Sequence, residues 1–410
     1  MTMTAYLRDN ARFLSAGALL TFLSSFGQTF FISLFAGDIR AAFDLTHGAW
    51  GGIYMLGTMA SAIVMVWAGT LTDVFRVRVL APIVLIGLAC ACSAMALNPW
   101  VWALPVVVFA LRLFGQGMTI HVSIVAMTRW FEATRGRALS IATLGVLSSE
   151  ALLPLIVVAS FAVVAWQTIW FVAAGVCLCA IPCLMWLLAQ ERTPASLAES
   201  NASIGMSGRH WTRIEALKHP LFWCIVPAIL GPAAFNTALF FHQVHVSEVK
   251  GFDHIVFVAF FPLFTVVGIV AMVVSGWALD RFGTARLTPY YQIPMVAAFV
   301  VFSFSTGPWG LAVAFFFLGL TSGANATLPN AFWAEFYGTA HIGSIKSMAA
   351  AVMVLGSALG PGLTGALIDA GVGIETQFLG IAVYFAGVTA LMLWAIGRAS
   401  TTLITPSPAQ

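Results

Sequence analysis

Apolar residues gather into twelve stretches near or above the roughly 20 residues that a membrane-spanning helix needs, separated by charge clusters and by Gly, Pro and Asn turns. The stretches lie near 12–37, 48–71, 79–97, 100–128, 137–162, 167–189, 219–246, 252–279, 286–305, 309–333, 341–369 and 375–397. This pattern predicts an all-α membrane protein of twelve transmembrane helices. The longest polar stretch, 190–218, divides them six and six. The organisation expected is an N-terminal six-helix bundle (1–189), a cytoplasmic linker (190–218), a C-terminal bundle (219–397) and a disordered cytoplasmic tail (398–410). The first stretch follows Arg8 and Arg12, exceeds a signal-peptide core and lacks a small-residue cleavage site, so it is expected to stay attached as a spanning helix.

Composition agrees with the pattern. Of the residues, 60% are hydrophobic and 8% charged, against about 25% charged in a soluble domain. The net charge of +3 is too small and too scattered for a nucleic-acid surface. Of the 18 Lys and Arg, only Arg40 and Lys250 fall on the side opposite the linker, and Arg112 lies inside the fourth segment. The positive-inside bias therefore places both termini in the cytoplasm of a cell whose inner membrane the chain spans. The six cysteines lie in apolar runs without C-x-x-C spacing and read as packing residues. No histidine pair has metal-ligand context, and no metal or cofactor is expected; His242 and His245 lie close together near the outer end of segment 7.

The two halves repeat. Gly69 and Asp73 with Arg76 and Arg78 follow segment 2; Gly276 and Asp280 with Arg281 and Arg286 follow segment 8. At nearly the same offset, Trp130-Phe131-Glu132 with Arg135 matches Trp333-Ala334-Glu335 with Lys346. All fall on one side of the membrane, which makes a parallel repeat of the kind that secondary transporters carry. Segments 3, 6, 9 and 12 lack polar side chains at mid-depth and are expected to face lipid. Segment 4 instead aligns Arg112, Gln116, Thr119 and Ser123 on one helical face. Thr21, Ser25 and Gln28 on segment 1, Asn236 and Gln243 on segment 7, and Thr321 and Asn325 on segment 10 extend a polar lining. With Tyr54, which lies at cavity depth, this gives candidate substrate-binding residues Gln28, Tyr54, Arg112, Gln116, Asn236, Gln243, Thr321 and Asn325. Single hydroxyls in membrane helices commonly bond their own backbone, so the arginine and the repetition carry more weight.

These motifs resemble the major facilitator superfamily over essentially the whole chain. Gly-x-x-x-Asp-x-x-Arg after segment 2, its copy after segment 8, and Arg112-Leu113-Phe114-Gly115-Gln116-Gly117 match elements recurrent in that family. The run Trp130 to Ala138 looks closer to the monocarboxylate and oxalate/formate branch than to sugar porters. The resemblance implies two pseudo-symmetric bundles, one central substrate site, alternating access, and a cytoplasmic gate at Asp73, Arg76, Arg135, Asp280 and Arg281. The first loop departs by Val74 and Phe75 where Arg and Gly are usual, and segment 5 lacks the glycine-proline pattern of drug/proton antiporters.

The function expected is a secondary carrier, not an enzyme, acting as a monomer on a small organic solute, a carboxylate or a planar aromatic compound, with a proton as candidate co-substrate. Riboflavin-type vitamin uptake, drug or metabolite efflux and a channel-like facilitator are the alternatives. A phosphate loop is absent, since the nearest approach, Gly338 to Ser347, has the wrong spacing and no preceding strand. Glu150 is the candidate proton-coupling residue. At about 1.5 Å per residue, Arg112 and Glu150 each lie about 18 Å from the same end of segments 4 and 5. Buried charges at one depth usually pair or line a wet path, so an Arg112–Glu150 contact, direct or through one water, is expected.

Overall fold

The computed structural model describes residues 3–131, 134–189, 205–338 and 341–401. Glu132, most of the linker and the tail from 402 onward lie outside the described residues, as do the side chains of Asp73, Arg135 and Asp280. The described residues are helical or in turns, and all twelve predicted segments have a helical counterpart.

Among the described residues, ten helices are long and apolar enough to cross a membrane, and a bent pair taken as one span makes eleven. We number the segments α1 (Met3–Leu23, resuming as Ala36–Phe43), α2 (His47–Ala68), α3 (Val77–Leu97), α4 (Leu104–Leu111 through Ile120–Trp130), α5 (Arg135–Ser160) and α6 (Trp166–Leu187). The second half holds α7 (Pro220–Phe241), α8 (Phe261–Phe282), α9 (Ile293–Phe304), α10 (Pro308–Tyr337), α11 (Ile342–Asp369) and α12 (Ile374–Ser400). The ninth is shorter than expected: after Thr284–Leu287 the chain turns and becomes regular again only at Ile293.

Two compact units form. The first comprises 1–198 with Phe240–His245 and Pro361–Asp369; the second comprises 199–239, 246–360 and 370–410. Within the first, α1 packs on α5, α2 on α4 and α3 on α6; within the second, α8 packs on α10 and α9 on α12. The repeat read from the loops is thus matched by equivalent helix pairs. Close approach depends on missing side chains: a Cβ on Gly145 of α5 would stand 2.0 Å from Ala18 O, and one on Gly360 of α11 would stand 2.1 Å from Ala234 O. Small residues let backbones meet where van der Waals packing, not a hydrophobic gain, holds helices together.

The helices expected to face lipid, α3, α6, α9 and α12, each keep exposed apolar residues, Phe304 at the end of α9 among them. Their inner faces pair α3 with α6 and α9 with α12, while Ile83, Ile86, Val172, Val383 and Trp394 remain exposed. In water, such a surface would be far larger than the apolar patches monomeric proteins display.

Candidate functional site

The first helix does not run straight. Ser24–Gly27 forms a 3-10 turn, Gln28 is extended (φ −83, ψ 154), and the flanking pieces meet at a 44° bend. Serine and glycine explain the weakness: Ser24 Oγ bonds back to Thr21 O at 2.6 Å, competing with the helical ladder, and glycine is a poor helix former. Irregular backbone at membrane depth persists only where it is buried in protein or lines a cavity.

The facing part of α4 is irregular too. Arg112–Thr119 is π-helical, and Thr119 Oγ1 bonds Phe114 O, five residues back, at 2.5 Å. A π stretch often marks a functional site, and its wider turn changes the predicted α-helical stripe of Arg112, Gln116 and Thr119. Apolar periodicity could not show this, because one turn of π-helix shifts the phase without changing residue types.

Arg112 sits where the two irregularities meet. It is 4% exposed; its Nη1 lies 3.4 Å from Gly27 O and 3.2 Å from Thr29 Oγ1, and its guanidinium carbon stands 5.4 Å from the Tyr54 ring centre. Thr29 and the Tyr54 hydroxyl share a 2.5 Å hydrogen bond. Its Nε and Gln116 Oε1 are buried with no partner. An unsatisfied buried polar atom costs roughly 1–3 kcal/mol, which a ligand can recover. Discontinuous helices commonly build transporter sites in this way.

A direct Arg112–Glu150 contact is absent: no ion pair or hydrogen bond joins them among the described residues. The broken backbone, the Thr29 hydroxyl and the Tyr54 face contact the arginine instead and leave its Nε without a partner, an option hidden from a reading that assumed regular helices. Glu150 is half-buried and follows Ser149, whose hydroxyl bonds Ser25 of the 3-10 turn. It therefore adjoins the residues that hold the break.

The other candidates separate by role. Gln28, the extended residue of the break, is half-buried. Gln243 is fully buried, its Nε2 donating to Ser33 Oγ at 2.7 Å and to Phe30 O at 3.3 Å, so its amide braces the broken helix. In the second unit, Asn236 Oδ1 and Thr321 Oγ1 are buried without partners, and Asn325 Oδ1 accepts from Tyr291 at 3.4 Å. Gln292, missed in the sequence, donates to Ala228 O at 2.5 Å, and the one hydrogen of the Tyr291 hydroxyl, also missed, is shared between Ala228 O at 3.2 Å and Asn325 Oδ1. The available signal was Pro232, which has no N–H to offer the carbonyl four residues earlier.

Around the gate motifs, Arg129 Nη1 donates to Thr72 O at 2.7 Å, beside Asp73. Arg76 is exposed, and exposed Arg281 lies 5.8 Å from the Trp277 ring centre. No group of three or more His, Cys, Asp or Glu among the described residues could hold a metal ion.

Comparison with known proteins fits this architecture. The model of the Major Facilitator Superfamily matches residues 17–345, whereas no curated protein matches in sequence. A bacterial homologue of the human lysosomal transporter Spinster superposes with a TM-score of 0.73 at 15% identity, covering 97% of this chain and 99% of that one. The nucleoside transporter NupG gives 0.69 at 13% identity, covering 95% and 99%. At such identity the likeness is one of fold. The family match spans most of the chain, and we conclude that this protein belongs to the Major Facilitator Superfamily, as a multi-pass membrane transporter and not an enzyme.

Proposed function

We propose that the protein carries a small organic anion, a carboxylate in the first instance, across a bacterial inner membrane with both termini cytoplasmic, by alternating access of halves 1–189 and 219–397. The observation that carries this reading is Arg112, a buried cation at the junction of a broken helix and a π-helix, held by a carbonyl and a hydroxyl and not by a carboxylate. A carboxylate ligand would offer it a stronger, charge-assisted partner. Exchanging Thr29 for a ligand oxygen would loosen the Thr29–Tyr54 bond and so couple occupancy to the bend of α1. Gln28, Tyr54 and Gln116 are proposed as substrate-binding residues of the first half, and Asn236, Thr321 and Asn325 as those of the second.

Glu150 is the proposed proton carrier, half-buried and without an arginine to keep it charged. Asp73, Arg76, Arg135, Asp280 and Arg281 are proposed as the cytoplasmic gate, and the monocarboxylate and oxalate/formate branch as the nearest relatives. The carrier acts as a monomer. A thermal-shift screen of carboxylates, nucleosides, sugars and flavins tests the substrate class, followed by counterflow in proteoliposomes. Stabilisation by carboxylates that vanishes in Arg112→Ala is the expected result. Stabilisation by a hexose alone would overturn the reading, and flux without saturation or counterflow would mean a channel.

A further inference from the structure

His47 meets His242 and His245, almost two hundred residues further along the chain, beside the turn from α1 to α2. Arg40 Nη1 lies 2.9 Å from His47 Nε2. A guanidinium can only donate, so this nitrogen accepts and the His47 ring is neutral, with its hydrogen on Nδ1. The His245 ring stands edge-on to His47 with centroids 4.3 Å apart, and the His242 ring lies at 6.0 Å. His242 Nε2 is 3.0 Å from Pro361 O; a carbonyl only accepts, so this nitrogen carries a hydrogen. Arg40, the three histidines, Trp50 and Phe241 line one small cleft.

Charge around the cleft is finely balanced. Arg40 faces His47 from α1, His242 and His245 face it from the chain after α7, and Asp369 from the end of α11. The Asp369 carboxylate accepts the Gly48 N–H at 2.8 Å, so it already serves the N-terminus of α2. Arg40 and Asp369 act on His47 with opposite sign, and each imidazole that gains a proton adds a positive charge beside Arg40. Phe240–His245 and Pro361–Asp369 belong to the first compact unit, although the remainder of α7 and α11 groups with the second.

We propose that His47 is a proton-binding site that controls how firmly Phe240–His245 is held in the first unit. Protonation at Nε2 replaces the acceptor that Arg40 uses with an N–H, and leaves two cations in contact. His245, touching the same ring, and the positive end of α2 oppose that charge further. The imidazole must turn or withdraw, and the run carrying His242 and His245 loosens with it. Imidazole ordinarily titrates between about pH 5 and 8, and the positive groups around this ring oppose its charge, so acidification below that range on the side where α1 meets α2 is the signal. The site is separate from Glu150 and needs no substrate.

Hydrogen–deuterium exchange of the purified full chain tests this at pH 7.5 and 4, with rates corrected for the intrinsic pH dependence. In the wild type, peptides covering 240–245 and 361–369 should exchange about tenfold faster at the lower pH, while those of α3 and α6 do not change. His47→Gln, whose amide oxygen still accepts from Arg40 but takes no proton, should abolish the step. Arg40→Gln, which donates to His47 without a charge, should move its midpoint to higher pH. A step retained in His47→Gln overturns the proposal, as does a step lost only in His242→Gln or His245→Gln. So does a midpoint unmoved in Arg40→Gln, or a wild type without a step because the charged ring pairs with Asp369.

Discussion

Gly27 and Gly115 face each other with no room for a side chain: a Cβ on Gly115 would lie 2.5 Å from Gly27 Cα, and one on Gly27 would lie 2.0 Å from Leu111 O. The break in α1 and the π stretch of α4 therefore touch backbone to backbone, and this contact sets where Arg112 can reach.

Adding a methyl group there should force the two helices apart. Gly115→Ala is expected to cost about 1–3 kcal/mol, as overpacking does, and Gly27→Ala more, because its obstacle is a carbonyl oxygen that cannot swing away. Thermal denaturation in detergent checks the order. Equal stability of both variants and wild type would mean that the contact is not held.

Arg112 should distinguish charge from geometry. Arg112→Ala is expected to weaken binding of the carboxylate found in the screen by about 10- to 150-fold, the equivalent of roughly 1.5–3 kcal/mol for a hydrogen bond to a charged group. Arg112→Lys should recover only part, since a lysine does not reproduce the planar fork or the stacking on Tyr54. Full recovery by lysine would reduce the site to a point charge.

Glu150→Gln should leave folding and binding near wild type and abolish pH-driven accumulation in proteoliposomes. Because His47 is proposed to act on a different segment, His47→Gln should keep accumulation driven by a proton gradient. An unchanged pH dependence in Glu150→Gln would remove the coupling role from Glu150 and leave either a uniporter or a proton site elsewhere in the chain.

In the second unit, Gln292→Leu takes one of two side-chain donors from Ala228 O and should destabilise by about 1–3 kcal/mol, the cost of losing a buried hydrogen bond. Pro232→Ala restores a backbone N–H to that carbonyl, so the loss should shrink in the double variant. A double-mutant cycle measures the coupling, and simple additivity would show that Pro232 is not the cause.

The short helix Arg213–Lys218 begins with a capping box in which Thr212 N–H and hydroxyl both donate to Glu215 at 2.8 Å. The Thr212 backbone N–H, then its hydroxyl and the Arg209 guanidinium, hold the Glu215 carboxyl below its usual range. A depressed folded-state value gives stability that is present above the unfolded value and lost as pH falls through the folded one. Amides of 213–218 should therefore be protected at pH 7 and lose protection in acid. Glu215→Ala should show the unprotected behaviour already at pH 7.

The sequence by itself determined the number and kind of elements. Twenty apolar residues without charge can cross a membrane only as a helix that satisfies its own hydrogen bonds, and the paired loops at Asp73 and Asp280 fixed a parallel repeat before any contact was known. It also singled out Arg112, because a charge at that depth has no cheap explanation. Tertiary structure decided what Arg112 touches. The break at Ser24–Gly27 and the π turn at Arg112–Thr119 exist because two glycines let the helices meet, and that contact exposes the Gly27 carbonyl that the arginine takes in place of Glu150. Likewise His242 and His245 were legible as neighbours, but not His47, which reaches them only through folding. Periodicity reports which side of a regular helix is apolar; where the helix ceases to be regular, only the packing around it says which atoms face one another.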